Sequence, residues 1–334
     1  MRRVLAIDGG GIKGVWPASF LACIEKQVDA RVGEFFDLIV GTSTGGIIAL
    51  GLASGFSAQE ILDFYVEHGP AIFAAPKQLH RRIARGAAKH LPLGLGQLGW
   101  FAARVGGPAY DETVLRNALE LTFKDKILGA CDRRVVVPAL SLQTGAVVLR
   151  KTPHHEKLTT DWSMSLVDVA METTAAPTYF PAHRSSGGML VVDGGTWANN
   201  PAGVAAVEAV GVLGWDRGDT LLLSLGCTTT PLDARALQSG RGGIWAWRRT
   251  LPVISAAQES GALGTAKTLL GESNVKRCSP VVPPKHFEMD DTSQIERLHD
   301  LGVEYARQEV GDLKQRFFNS KAEPFEAPLD QRSR

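Results

Sequence analysis

Phe36-Asp37-Leu38-Ile39-Val40-Gly41-Thr42-Ser43-Thr44-Gly45-Gly46-Ile47-Ile48-Ala49-Leu50 decides the fold. Phe36–Val40 reads as a short buried strand, and Ile47–Ala53 as an apolar helix. Between them Gly41, Ser43 and Gly45 satisfy GxSxG. In that motif a serine sits on a sharp strand-to-helix turn, and small flanking residues let the backbone pass. The helix N-terminus behind Ser43 favours negative charge developing at its hydroxyl. The motif alone is weak; the strand before it and the helix after it give it meaning.

The same strand–turn–helix grammar recurs on both sides. Upstream, Val4–Ile7 reads as a strand broken by Asp8-Gly9-Gly10-Gly11-Ile12-Lys13-Gly14, with a helix from Val15 to Lys26. Downstream, Val135–Leu142 and Ala146–Arg150 alternate like strands around a Gln143-Thr144-Gly145 turn. Ser165–Met171 reads as a helix, Leu190–Val192 as a strand ending at Asp193-Gly194-Gly195, Ala202–Val210 as a helix and Thr220–Leu225 as a buried strand. Strands alternating with helices predict an α/β fold with a mostly parallel central sheet flanked by helices. Ser57-Ala58-Gln59-Glu60 and Ser293-Gln294-Ile295-Glu296 each match a capping box. The apolar spacing from Leu298 to Phe317 predicts a long closing helix, and the charged tail after Phe318 is expected to be flexible.

Composition narrows the function. The chain has 334 residues and a formal charge of +1, with 44% hydrophobic and 21% charged residues. That excludes general disorder and leaves no global basic footprint for DNA or RNA. Cys23, Cys131, Cys227 and Cys278 are too dispersed for a disulfide framework or a Cys-based metal site, and reduced, buried thiols in a reducing compartment are expected. No export signal and no membrane span is visible, so a cytoplasmic location is expected.

Consecutive glycines at a helix N-terminus let backbone N–H groups converge on an anion. Gly9–Gly14 also satisfies GxGxxG, the dinucleotide fingerprint. That reading wants an acidic residue ending the next strand; Asp29 and Glu34 lie near the distance but end no apolar strand. The next strand delivers Ser43 instead. A serine hydroxyl needs a base, usually a histidine. None of the eight histidines sits in a recognisable catalytic setting, although an α/β-hydrolase order would allow His286 or His299. Asp193, at a strand end, is the leaner candidate for the partner.

These motifs, in this order, resemble the patatin-like phospholipase family. Ala175-Ala176-Pro177-Thr178-Tyr179-Phe180-Pro181, Asp193–Pro201 and Leu222–Gly226 carry the resemblance further, over about two thirds of the chain. It implies a patatin-like three-layer sandwich in a single catalytic domain over 1–318, with a flexible tail at 319–334. It implies Ser43 as the nucleophile forming an acyl-enzyme and Asp193 as the base of a Ser–Asp dyad. Backbone N–H groups of Gly9, Gly10 and Gly11 would form the oxyanion hole, with Asp8, Lys13, Gly14, Gly41, Gly45, Gly194 and Gly195 as motif support. The implied substrate is a membrane glycerophospholipid, cleaved at an ester with no metal and no cofactor. Lys13 stands where many members have Arg, which keeps the charge but loses the planar fork, and Cys227 stands where many have Thr.

Two stretches lie outside these motifs. Residues 67–111 read as a basic, lid-like insertion, with Lys77–Leu91 as an amphipathic helix carrying Arg81, Arg82 and Arg85. Residues 235–318 read as a C-terminal helical elaboration and a candidate regulatory surface, opening with Trp245 and Arg248. The plain reading of both basic stretches is a solvated face. The sharper ones are contacts to an anionic bilayer or to a nucleotide. The chain also resembles compact bacterial antiphage effectors of this family that are activated by cyclic oligonucleotides, through its size and the stretch Met289–Gly302. That resemblance implies a cyclic di- or trinucleotide activator, a homodimer or larger homo-oligomer, and a location peripheral to the inner membrane when active.

Overall fold

The computed structural model describes residues 1–74, 108–158, 160–232, 247–283 and 286–327. The first strand, β1 (Arg2–Ile7), is buried from Arg3 onward. It pairs in parallel with β2 (Leu38–Gly41) on one side and β7 (Thr220–Leu225) on the other. Central parallel strands are covered on both faces, which is why they read as continuous apolar runs. β3 (Arg134–Ser141) and β8 (Val275–Cys278) complete a parallel block ordered β3-β2-β1-β7-β8. Beyond it β4 (Val147–Lys151), β6 (Leu190–Asp193) and β5 (His183–Arg184) add antiparallel pairings, making an eight-stranded mixed sheet.

Alternate residues of β1 face opposite layers. Leu5 and Ile7 join one core with α1 (Val15–Val28), α2 (Thr44–Ala53), α3 (Ala58–Ile72), α4 (Glu112–Phe123), α5 (Leu166–Thr174) and the closing helix. Val4 and Ala6 join the other, with α6 (Ala202–Val207) and the end of α7 (Trp247–Leu270). This is the expected three-layer arrangement. α2 is buried on every side, which its run of glycines and aliphatics allows.

The elements depart from expectation in four places. The helix after Ser43 starts at Thr44, not Ile47, because Ser43 itself occupies the N-cap position. The capping box at Ser57–Glu60 forms, but the one at Ser293–Glu296 does not. There Asp291 caps a 3-10 turn, taking both the N–H and the hydroxyl of Ser293, before α8 (Ile295–Arg316) begins. The C-terminal elaboration is not wholly helical: β8 extends the main sheet, its charged Lys276 and Arg277 hiding it from an apolar pattern.

The fourth departure is the tail. Residues 319–327 are packed rather than free. Phe325 and Ala327 are buried, Arg3 is held by the carbonyls of Phe317 and Ser320, and Arg133 reaches the carbonyl of Glu323 at 2.8 Å. Within the lid-like insertion, residues 67–72 are the last turns of α3. The Lys77–Leu91 helix, with Arg81, Arg82 and Arg85, lies outside the described residues, as does Trp245. Of Arg248 only the backbone, within α7, is described. Among the described residues no helix is long and apolar enough to cross a membrane.

Candidate active site

The site forms where two strands meet end to end. β2 pairs with the first half of β3, and β6 pairs antiparallel with its second half. β4 occupies the opposite edge of β3, so β2 and β6 share one edge and run toward each other. Pro138, which has no N–H, sits between the two paired stretches. The chain leaving β2 delivers Ser43 there, and the chain leaving β6 delivers Asp193.

Ser43 is held in a strained conformation, φ 56° and ψ −124°, which a side-chain-bearing residue adopts only when its surroundings impose it. The turn is tight enough that side chains at Gly41 or Gly45 would collide with backbone carbonyls. The Ser43 N–H donates to Thr173 Oγ1 at 2.9 Å, and that hydroxyl donates to the Pro138 carbonyl at 2.6 Å. The elbow is thus tied from above by α5 and from the side by β3.

Ser43 Oγ donates to Asp193 Oδ2 at 2.6 Å. The other carboxylate oxygen accepts the Gly195 N–H, also at 2.6 Å. Asp193 is 4% exposed, and burial raises its pKa from 3.8 to about 6 against the pull of those two hydrogen bonds. A carboxylate so tuned is ionised at neutral pH yet basic enough to take a proton. Among the described residues no histidine bonds to this pair: His183 lies buried in β5 with Asp168 at 4.0 Å, and His154 bonds to Glu208.

The glycine loop lies over Ser43. The expectation of three free donors narrows to two, because the Gly9 N–H is taken by the Asn199 carbonyl at 3.0 Å. The N–H groups of Gly10 and Gly11 have no partner among the described residues. Gly11 takes φ +60°, and a side chain there would meet the Met289 carbonyl, which accepts the Ile12 N–H at 2.9 Å. A side chain at Gly10 would stand 2.5 Å from Cys227 Sγ. Cys227 is buried and its thiol is pushed up to about 12, so it stays a neutral wall of the loop. Asp8, just before the loop, faces Arg277 in a forked pair of 2.9 and 2.6 Å. Gly14 ends the loop, and Gly194 opens the turn after Asp193.

Two spaces meet at Ser43. One is a narrow apolar slot lined by Ile47, Phe64, Ile72, Leu115 and Phe180. The other is a wider and more polar cleft of about 620 Å³, with Lys13, Asp193, Thr229, Gln258 and Arg277 among its walls. Such a junction can hold an ester with a long apolar arm on one side and a polar group on the other. Lys13 has no ion pair among the described residues, which also hold no cluster of three metal-ligating side chains.

Sequence reading missed Thr173, Asn199, Met289 and Arg277 as parts of this site. Each acts through a contact more than a hundred residues distant in the chain. Asn199 carried a local signal, lying in the Trp197–Pro201 run after Asp193, and Met289 opens the Met289–Gly302 stretch, which did not point to the glycine loop.

Comparison with known proteins finds a matching family model and relatives. Residues 5–206 match the family model for patatin-like phospholipase. The chain is 32% identical over 318 residues to a cGAMP-activated phospholipase of Pseudomonas aeruginosa, covering 93% of this chain and 89% of that one. It is 34% identical over 283 residues to a cGAMP-activated phospholipase of Vibrio cholerae, covering 77% of this chain and 74% of that one. Among solved structures it bears a distant likeness to VipD from Legionella pneumophila, at 12% identity and a TM-score of 0.42 over 93% of this chain and 67% of that one.

Proposed function

Because the chain belongs to the patatin-like phospholipase family, and so is a lipid ester hydrolase, we propose that it cleaves membrane glycerophospholipids through a Ser43–Asp193 dyad. The observation that carries the reading is the 2.6 Å hydrogen bond from Ser43 Oγ to Asp193 Oδ2, at the meeting of an apolar slot and a wider, more polar cleft. The acyl chain lies in the slot and the head group in the cleft.

In the first half-reaction Ser43 Oγ attacks the ester carbonyl carbon while Asp193 takes its proton. The carbonyl oxygen becomes an oxyanion facing the Gly10 and Gly11 N–H groups and the N-terminus of α2. When the tetrahedral adduct collapses, the C–O bond to the lysolipid breaks and Asp193 returns the proton to the leaving oxygen. A water molecule, deprotonated by Asp193, then attacks the acyl-Ser43 carbonyl. A fatty acid leaves, and the proton goes back to Ser43. One carboxyl serves as base and acid in turn, a task suited to a pKa near 6.

The finer reading is that this hydrolase is a bacterial antiphage effector, peripheral to the inner membrane when active and switched on by a cyclic oligonucleotide. Its support is that the Pseudomonas aeruginosa and Vibrio cholerae relatives are cGAMP-activated phospholipases by name. A switch of this kind would spare the host bilayer until infection.

The test is fatty-acid release from phospholipid vesicles by wild type and Ser43→Ala, with and without a panel of cyclic di- and trinucleotides. Release by wild type alone, and only with one nucleotide, supports the whole reading. Equal release without nucleotide leaves the hydrolase and removes the switch. Release by Ser43→Ala equal to wild type would remove the dyad.

A further inference from the structure

A loop of three glycines has no side chains with which to fix its own direction, so whatever aims its N–H groups must act from outside. The residue before the loop, Asp8, is 5% exposed. Its N–H is held by the Leu225 carbonyl at 2.9 Å, and its carboxylate by Arg277. Arg277 comes from β8, two strands away. In the sheet register it lies opposite Ser224 of β7, and it crosses that strand where the residues are small. Its Nη1 also bonds Ser224 Oγ at 2.9 Å, and a side chain at Gly226 would stand 2.8 Å from its Nη2. The small residues of the Leu222–Gly226 run thus clear a path from β8 to the loop.

Arg277 does not serve Asp8 alone. Its Nη2 stands 2.6 Å from Asp8 Oδ2 and 2.7 Å from Glu259 Oε1. Glu259 belongs to α7, and its neighbour Gln258 donates to the Thr196 carbonyl at 3.1 Å. Thr196 is part of the turn after Asp193, where its hydroxyl bonds the Asp193 carbonyl at 2.8 Å. One turn of one helix therefore touches both arms of the site: the glycine loop through Arg277 and Asp8, and the base through Thr196.

We propose that Arg277 is a positioning residue for the glycine loop, and that the Gln258–Glu259 turn of α7 ties this loop to the Asp193 turn so that the two arms are set together. This rests on the hydrolase reading above. The forked, charge-assisted geometry gives Asp8 one orientation, which a single ammonium in the same place would not. α7 (Trp247–Leu270) lies within residues 235–318, the stretch singled out in the sequence as a candidate regulatory surface. A displacement of α7 reaches the catalytic groups through two hydrogen-bonded contacts rather than through the core.

The experiment measures kcat and KM for p-nitrophenyl butyrate, per active site titrated with a fluorophosphonate. It uses the full chain as wild type, Ser43→Ala, Arg277→Lys, Glu259→Gln and the Arg277→Lys/Glu259→Gln pair. Arg277→Lys keeps the charge and removes the fork. It is expected to lower kcat about tenfold with KM within about threefold, since oxyanion donors act mainly in the transition state. Glu259→Gln is expected to lower kcat about threefold, and to add nothing in the Arg277→Lys background, as a shared path requires. A merely structural role would lower the number of titrated sites and leave kcat per site unchanged. An Arg277→Lys kcat per site within about twofold of wild type overturns the proposal, as do fully additive effects of the two substitutions. If Arg277→Lys does not fold, Glu259→Gln and Gln258→Ala decide alone: lowered kcat at constant KM supports it, and unchanged kcat overturns it. The assay is run alone and with each cyclic di- and trinucleotide of the panel, and a wild type inert under all of these conditions overturns the hydrolase reading, and this inference with it.

Discussion

Ser43 and Asp193 lie 150 positions apart in the chain, yet their side chains meet at 2.6 Å because β2 and β6 approach one edge of β3 from opposite directions. The meeting is a property of sheet topology rather than of either motif. The antiparallel strands at the β3 edge are therefore functional: a sheet with β6 running the other way would carry Asp193 to its far end.

The buried Asp193 carboxylate is a stability cost at working pH. Its folded pKa, about 6, lies above the ordinary 3.8. The stability it contributes is therefore present below pH 4 and is lost as pH rises through 6. Asp193→Asn can keep both hydrogen bonds, its amide donating to Ser43 Oγ and its carbonyl accepting from Gly195. It is expected to abolish hydrolysis while raising stability at pH 7.5, by up to about 3 kcal/mol from the shift of roughly two units. The gain should vanish near pH 4. Thermal unfolding of both proteins at the two pH values checks this; a variant less stable than wild type at pH 7.5 would contradict it.

The same ionisation sets the acid side of the rate profile. With Asp193 as the base, kcat/KM on a soluble ester is expected to fall about tenfold per unit below a midpoint near pH 6. Titration of Asp8 falls in the same range. The two are separated by following acylation of Ser43 in Asp8→Asn, which should keep the limb at reduced amplitude. A profile flat from pH 5 to 8 would take the proton-transfer role away from Asp193.

Much of this site was legible in the sequence, and the reason is local. Strand, glycine turn and helix follow one another within about fifteen residues at both Asp8–Gly14 and Gly41–Ala53, so the turn chemistry shows its neighbours. Asp193 as the partner of Ser43 is legible from its place at a strand end and from the resemblance, but the head-on approach of β2 and β6 that joins the two is not, because no spacing rule encodes it. Arg277 was invisible for a different reason. It sits mid-strand in Val-Lys-Arg-Cys, where two cations mask the strand and the partner carboxylate lies 269 residues away. Gly9 reads as a donor in the sequence because the Asn199 carbonyl that occupies its N–H comes from 190 positions further along the chain.

Chain-length preference should follow the slot. Leu115 is buried on its wall, beside Phe180 and Ile72. Leu115→Phe adds volume where a long acyl tail would run. It is expected to lower turnover of long-chain phospholipid about tenfold or more while leaving p-nitrophenyl butyrate hydrolysis within about twofold, with overpacking costing about 1–3 kcal/mol of stability. Equal losses on both substrates would mean that the slot does not hold the acyl chain.

Gly10 tests the oxyanion loop apart from binding. A methyl group there would stand 2.5 Å from Cys227 Sγ and 2.7 Å from its Cβ, so the loop must shift. Gly10→Ala is expected to lower kcat about a hundredfold, the scale of losing one oxyanion donor, while vesicle binding by sedimentation stays unchanged. Cys227→Gly in the same chain removes both obstructing atoms and should restore part of the rate. No recovery would show that the methyl group disturbs something other than the Cys227 wall.

The packed tail makes a prediction about stability alone. Arg3 and Arg133 are both buried cations, and much of their hydrogen bonding goes to main-chain carbonyls near the C-terminus: Phe317 and Ser320 for Arg3, Glu323 for Arg133. The tail backbone is also stitched in, with the Ala322 N–H on the Glu34 carbonyl at 2.8 Å and Phe325 buried beside Arg134, whose guanidinium lies 4.9 Å from its ring. Ending the chain after Phe318 exposes the Phe325 site and strips partners from both buried guanidiniums. An unpaired buried charged donor costs roughly 1–3 kcal/mol, and loss of a buried aromatic adds about 2 kcal/mol more. Truncation is therefore expected to lower the urea midpoint of unfolding by an amount equivalent to several kcal/mol at constant slope. The kcat of the folded fraction should stay at the wild-type value, because these contacts lie at the amino end of β1 and β3, opposite the catalytic turns. A truncated chain as stable as the full one would mean that residues 319–327 are held by the domain without holding it.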